Sequence, residues 1–564
     1  MPSHISVPHD IFSLAHYAPT TYPRPSINWF PVSIDGPSKG SFLPARGRAW
    51  KQVTRRGRRT CFSSIPQRPL TVGDVDYLTN DLLHDNVLLE IFEIYLNEAA
   101  RTEGWYTLVH VCRRWRDVVF ASPRRLDLKL HCTTRTPVKA WLDVWPAFPI
   151  VLTGDAHTAT TKAFLNVWPA ALANSLARGA DVTSLVGSAD NIMAALEQKD
   201  RICHIDLQHI PKSLLEQIAA AMEETFPALS ELSLESIHEM PPVLPIMFLG
   251  GSAPGLRALR LTGIPFPALG KLLLSTTHLV YLSIWDVPHS GYISPDAMVT
   301  ALAALTNLEE FYLGFRSPLS RPDRENQRPH PLTRVVLPAL SRLEFKGVSE
   351  YFENLVAQVD APLLDKVETT FFHQLIFDTP QIAQFFSRTD ELKAPYRADV
   401  SFHPAFMRLC LYSRGQAIDR GVVGVVVECR VFDWQLSSLA QLYSSSLFSL
   451  STLERLVVSD GPARRLGPLP WQERRDVETT QWLELLQPFR SVRDMYLGSE
   501  LAIEIMFALA NLDGAGITEV LPELQNLFLV TRSLPPGMLL PSISQFLKAR
   551  RLSGRPVAVH EWQI

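Results

Sequence analysis

One short phrase returns along this chain at long, even intervals: an apolar residue, two spacers, a second apolar residue, one spacer and a third. It reads LSELSL from Leu229, LRALRL from Leu256 and LVYLSI from Leu279. It comes back as LEEFYL from Leu308, LSRLEF from Leu340 and, degenerate, LDKVET from Leu364, with ICHIDL from Ile202 in the same rhythm. The starts from Leu229 to Leu364 stand 23 to 32 residues apart. The second and third apolar residues, two apart, share one face of a strand and point inward. The residue between them (Ser233, Arg260, Ser283, Tyr312 or Glu344) points outward. Helical stretches such as 213–226 and 296–308 fill the intervals, and Pro227, Pro254, Pro338 and Pro362 stop them. A unit of one strand and one helix cannot close its own core, so neighbours must stack.

This phrase at this period resembles the leucine-rich repeat. It returns faintly from Leu453, Val492 and Leu524, and a last helix, Gly-containing turn and strand follow. The expected fold is α/β: a short helical module followed by an irregular leucine-rich-repeat-like solenoid, its parallel sheet on the concave face. The Asn that regular repeats carry after the third apolar residue is missing. The expected organisation is a mostly disordered Pro-, Ser- and Arg-rich segment over 1–72, the helical module over 73–126, a connecting region over 127–200 and the solenoid over 201–564. Two polar segments, Arg321 to Pro331 and Ser459 to Asp476, read as loops projecting from it.

The helical module is read from two amphipathic runs. In the first, Leu83, Val87, Leu88, Ile91, Phe92, Tyr95 and Leu96 keep helical time; in the second, Trp105, Leu108, Cys112, Trp115 and Val119 do, interrupted by Arg113, Arg114 and Arg116. Two helices this short leave apolar surface uncovered. The Ile91-Phe92 pair and the Val111-Cys112-Arg113-Arg114-Trp115 run resemble the F-box, with His84 where that family usually has proline. The resemblance spans about 40 residues and implies docking on the adaptor of a cullin–RING ubiquitin ligase through Leu83, Val87, Leu88, Ile91, Phe92, Val111, Cys112, Trp115 and Val119. The wider chain, 75 to 560, resembles fungal F-box proteins with degenerate leucine-rich repeats. They imply a substrate receptor that presents a target protein for ubiquitination and carries no catalysis itself. The alternative is a repeat scaffold whose helical hairpin only caps the solenoid. An exposed apolar face at Leu88 and Phe92 would mark docking; a covered one would mark capping.

Composition narrows the remaining classes. The 564 residues are 46% hydrophobic and 20% charged with a net charge of −3. That is globular, and its balance argues against nucleic acid as a partner. No apolar run is long enough for a membrane span, and the N-terminus lacks the form of a secretory signal. Cysteines at 61, 112, 132, 203, 410 and 429 are scattered without a Cys-x-x-Cys, and no Asn-x-Ser/Thr acceptor occurs. The expectation is an intracellular chain with reduced thiols, in cytoplasm or nucleus. The seven basic residues of Arg46 to Arg59 read as a solvated tail, with nuclear import or weak phosphate binding the alternatives.

No catalytic constellation stands out, so the chain is expected to be no enzyme, with no cofactor and no metal. GGSAPG at 250–255 lacks the Lys of a phosphate loop. Glu309 and Glu310 are adjacent, and on a strand they face opposite ways. His204 and His209 read as surface residues of a repeat.

Overall fold

A computed structural model describes residues 83–562 except 99–103, 134–137, 156–182, 323–332, 375, 378, 390–391, 393, 415–421, 445–449, 461–478, 513–515 and 531–539. All of these belong to one unit, Leu78–Ile564. The 1–72 segment and most of the two expected loops lie outside the described residues.

The phrase folds as read. Strands β3 (Ile202–Gln208), β4 (Glu231–Glu235), β5 (Ala258–Thr262), β6 (Tyr281–Val287) and β7 (Glu310–Phe315) pair in parallel in chain order. β9 (Arg342–Gly347) and β11 (Lys366–Phe372) continue the series. The second apolar residue of each phrase meets its counterparts: Leu232, Leu259, Leu282, Phe311, Leu343 and Val367 form one buried ladder. Helices follow the strands on that face. Those at Lys212–Ala221, Pro295–Leu302 and Ser349–Val356 each turn buried residues toward the ladder. The helix at Pro295–Leu302 is started by the Ser294 hydroxyl, which accepts from the Ala297 N–H, with Pro295 in its first turn. Two-residue strands β8 (Val335–Val336) and β10 (Val359–Asp360) make a separate small parallel pair.

Two corrections to the expected organisation follow. First, the sheet begins well before residue 201. β1 (Leu130–Thr133) and β2 (Ile150–Asp155) pair in parallel with each other, and β2 pairs with β3. The supposed connection is therefore the first part of the solenoid. Second, the repeat breaks once. After β11, the next strands are β12 (Arg397–Phe402), β13 (Phe406–Tyr412) and β14 (Val423–Glu428), and their order across the sheet is reversed: β11–β14–β13–β12–β15, with β15 at Arg455–Asp460. β13 is antiparallel to both neighbours. The cause is local. Only three residues separate β12 from β13, closed by His403 N–H donating to the Phe406 carbonyl at 2.8 Å. A turn that short can join only antiparallel strands. The helix Phe432–Ser444 then leads to β15, and β16 (Asp494–Leu497), β17 (Asn526–Leu529) and β18 (Ala558–Glu561) complete a sixteen-stranded sheet.

Before β1 come α1 (Asp85–Glu98), α2 (Gly104–Val109) and α3 (Arg113–Ala121), and between β1 and β2 comes α4 (Val138–Val144). The second expected helix of the module is thus two helices, broken at 110–112. Trp105 on α2 locks the module to the solenoid. Its indole N–H donates to the Lys129 carbonyl at 3.0 Å, and its ring meets Trp145 and Phe148 with centroids 5.3 and 5.5 Å away.

Candidate functional site

The structure divides the residues that the F-box resemblance nominated. Leu88, Phe92 and Val119 are buried inside the module, where the Phe92 ring sits 4.8 Å from that of half-buried Trp115. Leu83 is half-buried. Cys112 starts α3: its sulfur accepts the Trp115 N–H at 3.4 Å. Val87, Ile91 and Val111 are exposed. The face at Leu88 and Phe92 is therefore covered, the outcome that marks capping. Both face inward because positions 88 and 92, one turn apart, are the stripe by which α1 covers α2 and α3.

A different stripe on α1 is bare. Val87, Ile91, Ile94 and Tyr95 stand at helical spacing and are 40 to 57% exposed, with Val111 at 51% in the turn between α2 and α3. Sequence reasoning left Ile94 out, although its spacing of seven from Val87 and three from Ile91 was there to find it. The arginines that seemed to interrupt the second run bind the module together. Arg114 ion-pairs with Asp85 at 2.8 Å and also donates to the Leu83 carbonyl, while Arg116 donates to the Val109 carbonyl at 3.0 Å. His84 caps α1, its Nδ1 accepting the Asn86 N–H at 3.3 Å and its carbonyl accepting the Val87 N–H at 2.9 Å. A histidine thus supplies at the helix entry an acceptor that proline could not.

The second candidate is the open face of the sheet. Ser233, Arg260, Ser283, Tyr312, Glu344 and Glu368 follow one another in register across six strands, as the phrase implied. The face is laced with ion pairs, Lys346–Glu428 at 2.8 Å, Lys366–Glu368 at 2.8 Å and Arg397–Asp399 at 2.6 Å, and the His204 ring hydrogen-bonds the Glu231 carboxylate at 2.9 Å. His204 thus has a carboxylate partner, and His209 lies 4.0 Å from Glu235. His209 lies just past the end of β3 with a left-handed backbone, and the two imidazoles face different carboxylates at opposite ends of β4, Glu231 and Glu235. Among the described residues no group of three or more His, Cys, Asp or Glu could hold a metal ion.

Glu344 is the strained member of the row. Burial first, then the Glu368 carboxylate on the next strand, push its carboxyl up to about 7 against the pull of Arg342 and Lys366. Glu368 is buried too, but its hydrogen bond and ion pair with Lys366, with Arg342 and Arg408 behind, hold it below the usual carboxylate range. The folded state therefore binds the Glu344 proton more tightly than the unfolded chain does. That contribution is complete below the ordinary carboxylate range and is lost as pH rises through about 7. Glu344→Gln is expected to be about 1–2 kcal/mol more stable than the parent at about pH 8 and to lose that advantage near pH 4. Urea midpoints across that range are the measurement, and a pH-independent difference would refute the assignment.

No protein family and no curated protein matches the chain. Among solved structures, the crystal structure of the leucine-rich repeat-containing protein LegL7 from Legionella pneumophila is 13% identical, over 62% of this chain and 91% of that one, with a TM-score of 0.23. An overlap that low adds nothing to the register described above, on which the α/β solenoid rests. Among the described residues no helix is long and apolar enough to cross a membrane.

Proposed function

We propose that the chain is a non-catalytic substrate receptor that docks through α1 on the adaptor of an SCF-type cullin–RING ubiquitin ligase and holds a target protein on its solenoid. The observation that carries this reading is the bare stripe of Val87, Ile91, Ile94 and Tyr95, with Val111 beside it, on a module whose sequence resembles the F-box. A soluble chain gains nothing from leaving a helix face of this kind in water unless a partner covers it. Among the described residues, α1 packs mainly on α2 and α3, and the stripe stays exposed. The ligase would supply the chemistry, and the receptor would contribute proximity.

A second reading has its own support. Leu88 and Phe92 are covered within the module, and Trp105 fastens α2 to the first coil, as a cap would require. The two readings separate on removing residues 83–98. A docking helix leaves the solenoid's melting transition in place and abolishes co-purification with the adaptor. A cap takes the melting transition with it. Wild-type chain that fails to capture the adaptor on co-expression sinks the first reading.

A further inference from the structure

The one break in the repeat also builds a hollow of about 360 Å³ on the open face of the sheet, lined by β11, the three reversed strands and β15. Its floor follows from register. Glu368, Gly424, Cys410 and Asp399 succeed one another across four strands, so two small residues lie between two carboxylates. One row further along, Arg408, Ser401 and Ser459 are neighbours on β13, β12 and β15. Gly424 keeps the hollow open: a Cβ there would already stand 3.4 Å from the Glu368 side chain, and anything larger would fill the space.

The charges in the hollow are unevenly satisfied. Glu368 is paired with Lys366 at 2.8 Å, and Asp399 takes both forks of Arg397 at 2.6 Å. Arg408 makes no close ion pair: among the described residues no carboxylate stands at ion-pair distance, Glu368 acts on its charge from farther off, and its hydrogen-bond partner is the Cys410 thiol. His403, whose ring nitrogen lies 3.3 Å from the Ser401 hydroxyl, brings no second cation: burial, with the Arg408 charge behind it, holds its imidazole below the usual range. A guanidinium flanked by hydroxyls is a fork that matches one planar anion.

We propose that this hollow is a binding site for a single carboxylate group, held by the Arg408 guanidinium and the hydroxyls of Ser401 and Ser459. A carboxylate brings one negative charge, which Arg408 alone can match. A dianionic phosphate would set a second charge beside Glu368 and Asp399. The group can arrive on a small acid or on the side chain of a protein partner; the chemistry of the grip is the same. This assignment stands whether or not the helical module binds a ligase.

Cys410 at the floor supplies the readout. The full-length chain is labelled with a maleimide, and the rate at Cys410 is followed by peptide-resolved mass spectrometry, with Cys203 on β3 as internal reference. The probes are butyrate, a blocked neutral pentapeptide with one central glutamate, the same peptide with glutamine, and inorganic phosphate. Expected is slowing of Cys410 labelling by about tenfold with butyrate or the glutamate peptide, and none with the glutamine peptide, since one charge-assisted bidentate contact is worth about that factor. Which of the two carboxylates protects tells a free acid from a protein-borne one. Arg408→Gln is expected to abolish the protection, and so is Gly424→Leu, which fills the hollow by a different route. No protection by either carboxylate, equal protection in a folded Arg408→Gln chain, or protection by phosphate alone would each overturn the assignment.

Discussion

Replacing Ile91 by aspartate is expected to abolish capture of the ligase adaptor while leaving the melting temperature of the chain within about 2 °C of wild type. Ile91 is 44% exposed at the middle of the bare stripe, between Val87 and the Ile94–Tyr95 pair. Its removal costs the free protein little, because the side chain already stands partly in water. In a complex the same position is central and desolvated, and an unpaired carboxylate there costs about 3–5 kcal/mol beyond the lost apolar contact, more than a hundredfold in affinity. Phe92→Ala is the instructive contrast. Phe92 is fully buried against Trp115, so its truncation opens a cavity worth about 3–5 kcal/mol and damages fold and binding together. Co-expression with the adaptor, followed by affinity capture and a melting curve, separates the two variants. Undiminished capture by the Ile91→Asp chain places the docking face elsewhere.

The contrast between Ile91 and Phe92 also shows where the sequence was legible and where it was not. Helical spacing shows that 87, 88, 91 and 92 are all apolar, but a helix has two sides. Only packing decides that the 88–92 side meets α2 and α3 while the 87–91 side stays bare. The repeat strands were legible because each phrase carries its own inward pair, and the ladder from Leu232 to Val367 formed as those pairs required. The coils at either end of that run were less so. β1 and β2 lack the two-residue spacer of the phrase: Leu126, Leu128, Leu130 and Cys132, like Phe148, Ile150 and Leu152, simply alternate. The reversal at β12–β14 was invisible for a different reason. FMRLCLY and VGVVVE fold as strands β13 and β14, but their direction is set by the tight turn at 403–405, a long-range consequence of a short local feature. The hollow depends on that direction, because register alone brings Gly424 and Arg408 into it. The arginines of the helical module were misjudged in kind: Arg114 and Arg116 are fasteners that use backbone carbonyls as acceptors, and carbonyls carry no sequence signature.

Glu353→Leu is expected to lower stability by about 2–3 kcal/mol. The helix Pro380–Arg388 has no side-chain cap of its own, since Thr379 at its start makes no capping hydrogen bond. Pro380 has no N–H to satisfy, which leaves Gln381 and Ile382 as donors in a first turn that is half-buried at Gln381 and buried at Ile382. Both are served from the previous coil. The Glu353 carboxylate accepts from the Gln381 N–H at 2.9 Å and from the Ile382 N–H at 2.8 Å while itself 9% exposed. A negative group at a helix N-terminus gains from the helix dipole as well as from the two bonds. Leucine would keep the volume and take the acceptor from both donors, at about 1–3 kcal/mol for the buried Ile382 N–H and less for the half-buried Gln381 N–H, offset in part by its own apolar burial. Glutamine can satisfy only one of them and should fall between, at about 1–2 kcal/mol. Urea unfolding of the three chains should therefore rank wild type, glutamine, leucine. Hydrogen exchange should show the loss concentrated at 380–388, the helix that carries the chain over to β12 and so sets up the reversed strands. A leucine variant as stable as wild type would mean that these two N–H groups find acceptors without Glu353, and the inter-coil cap would have to be abandoned.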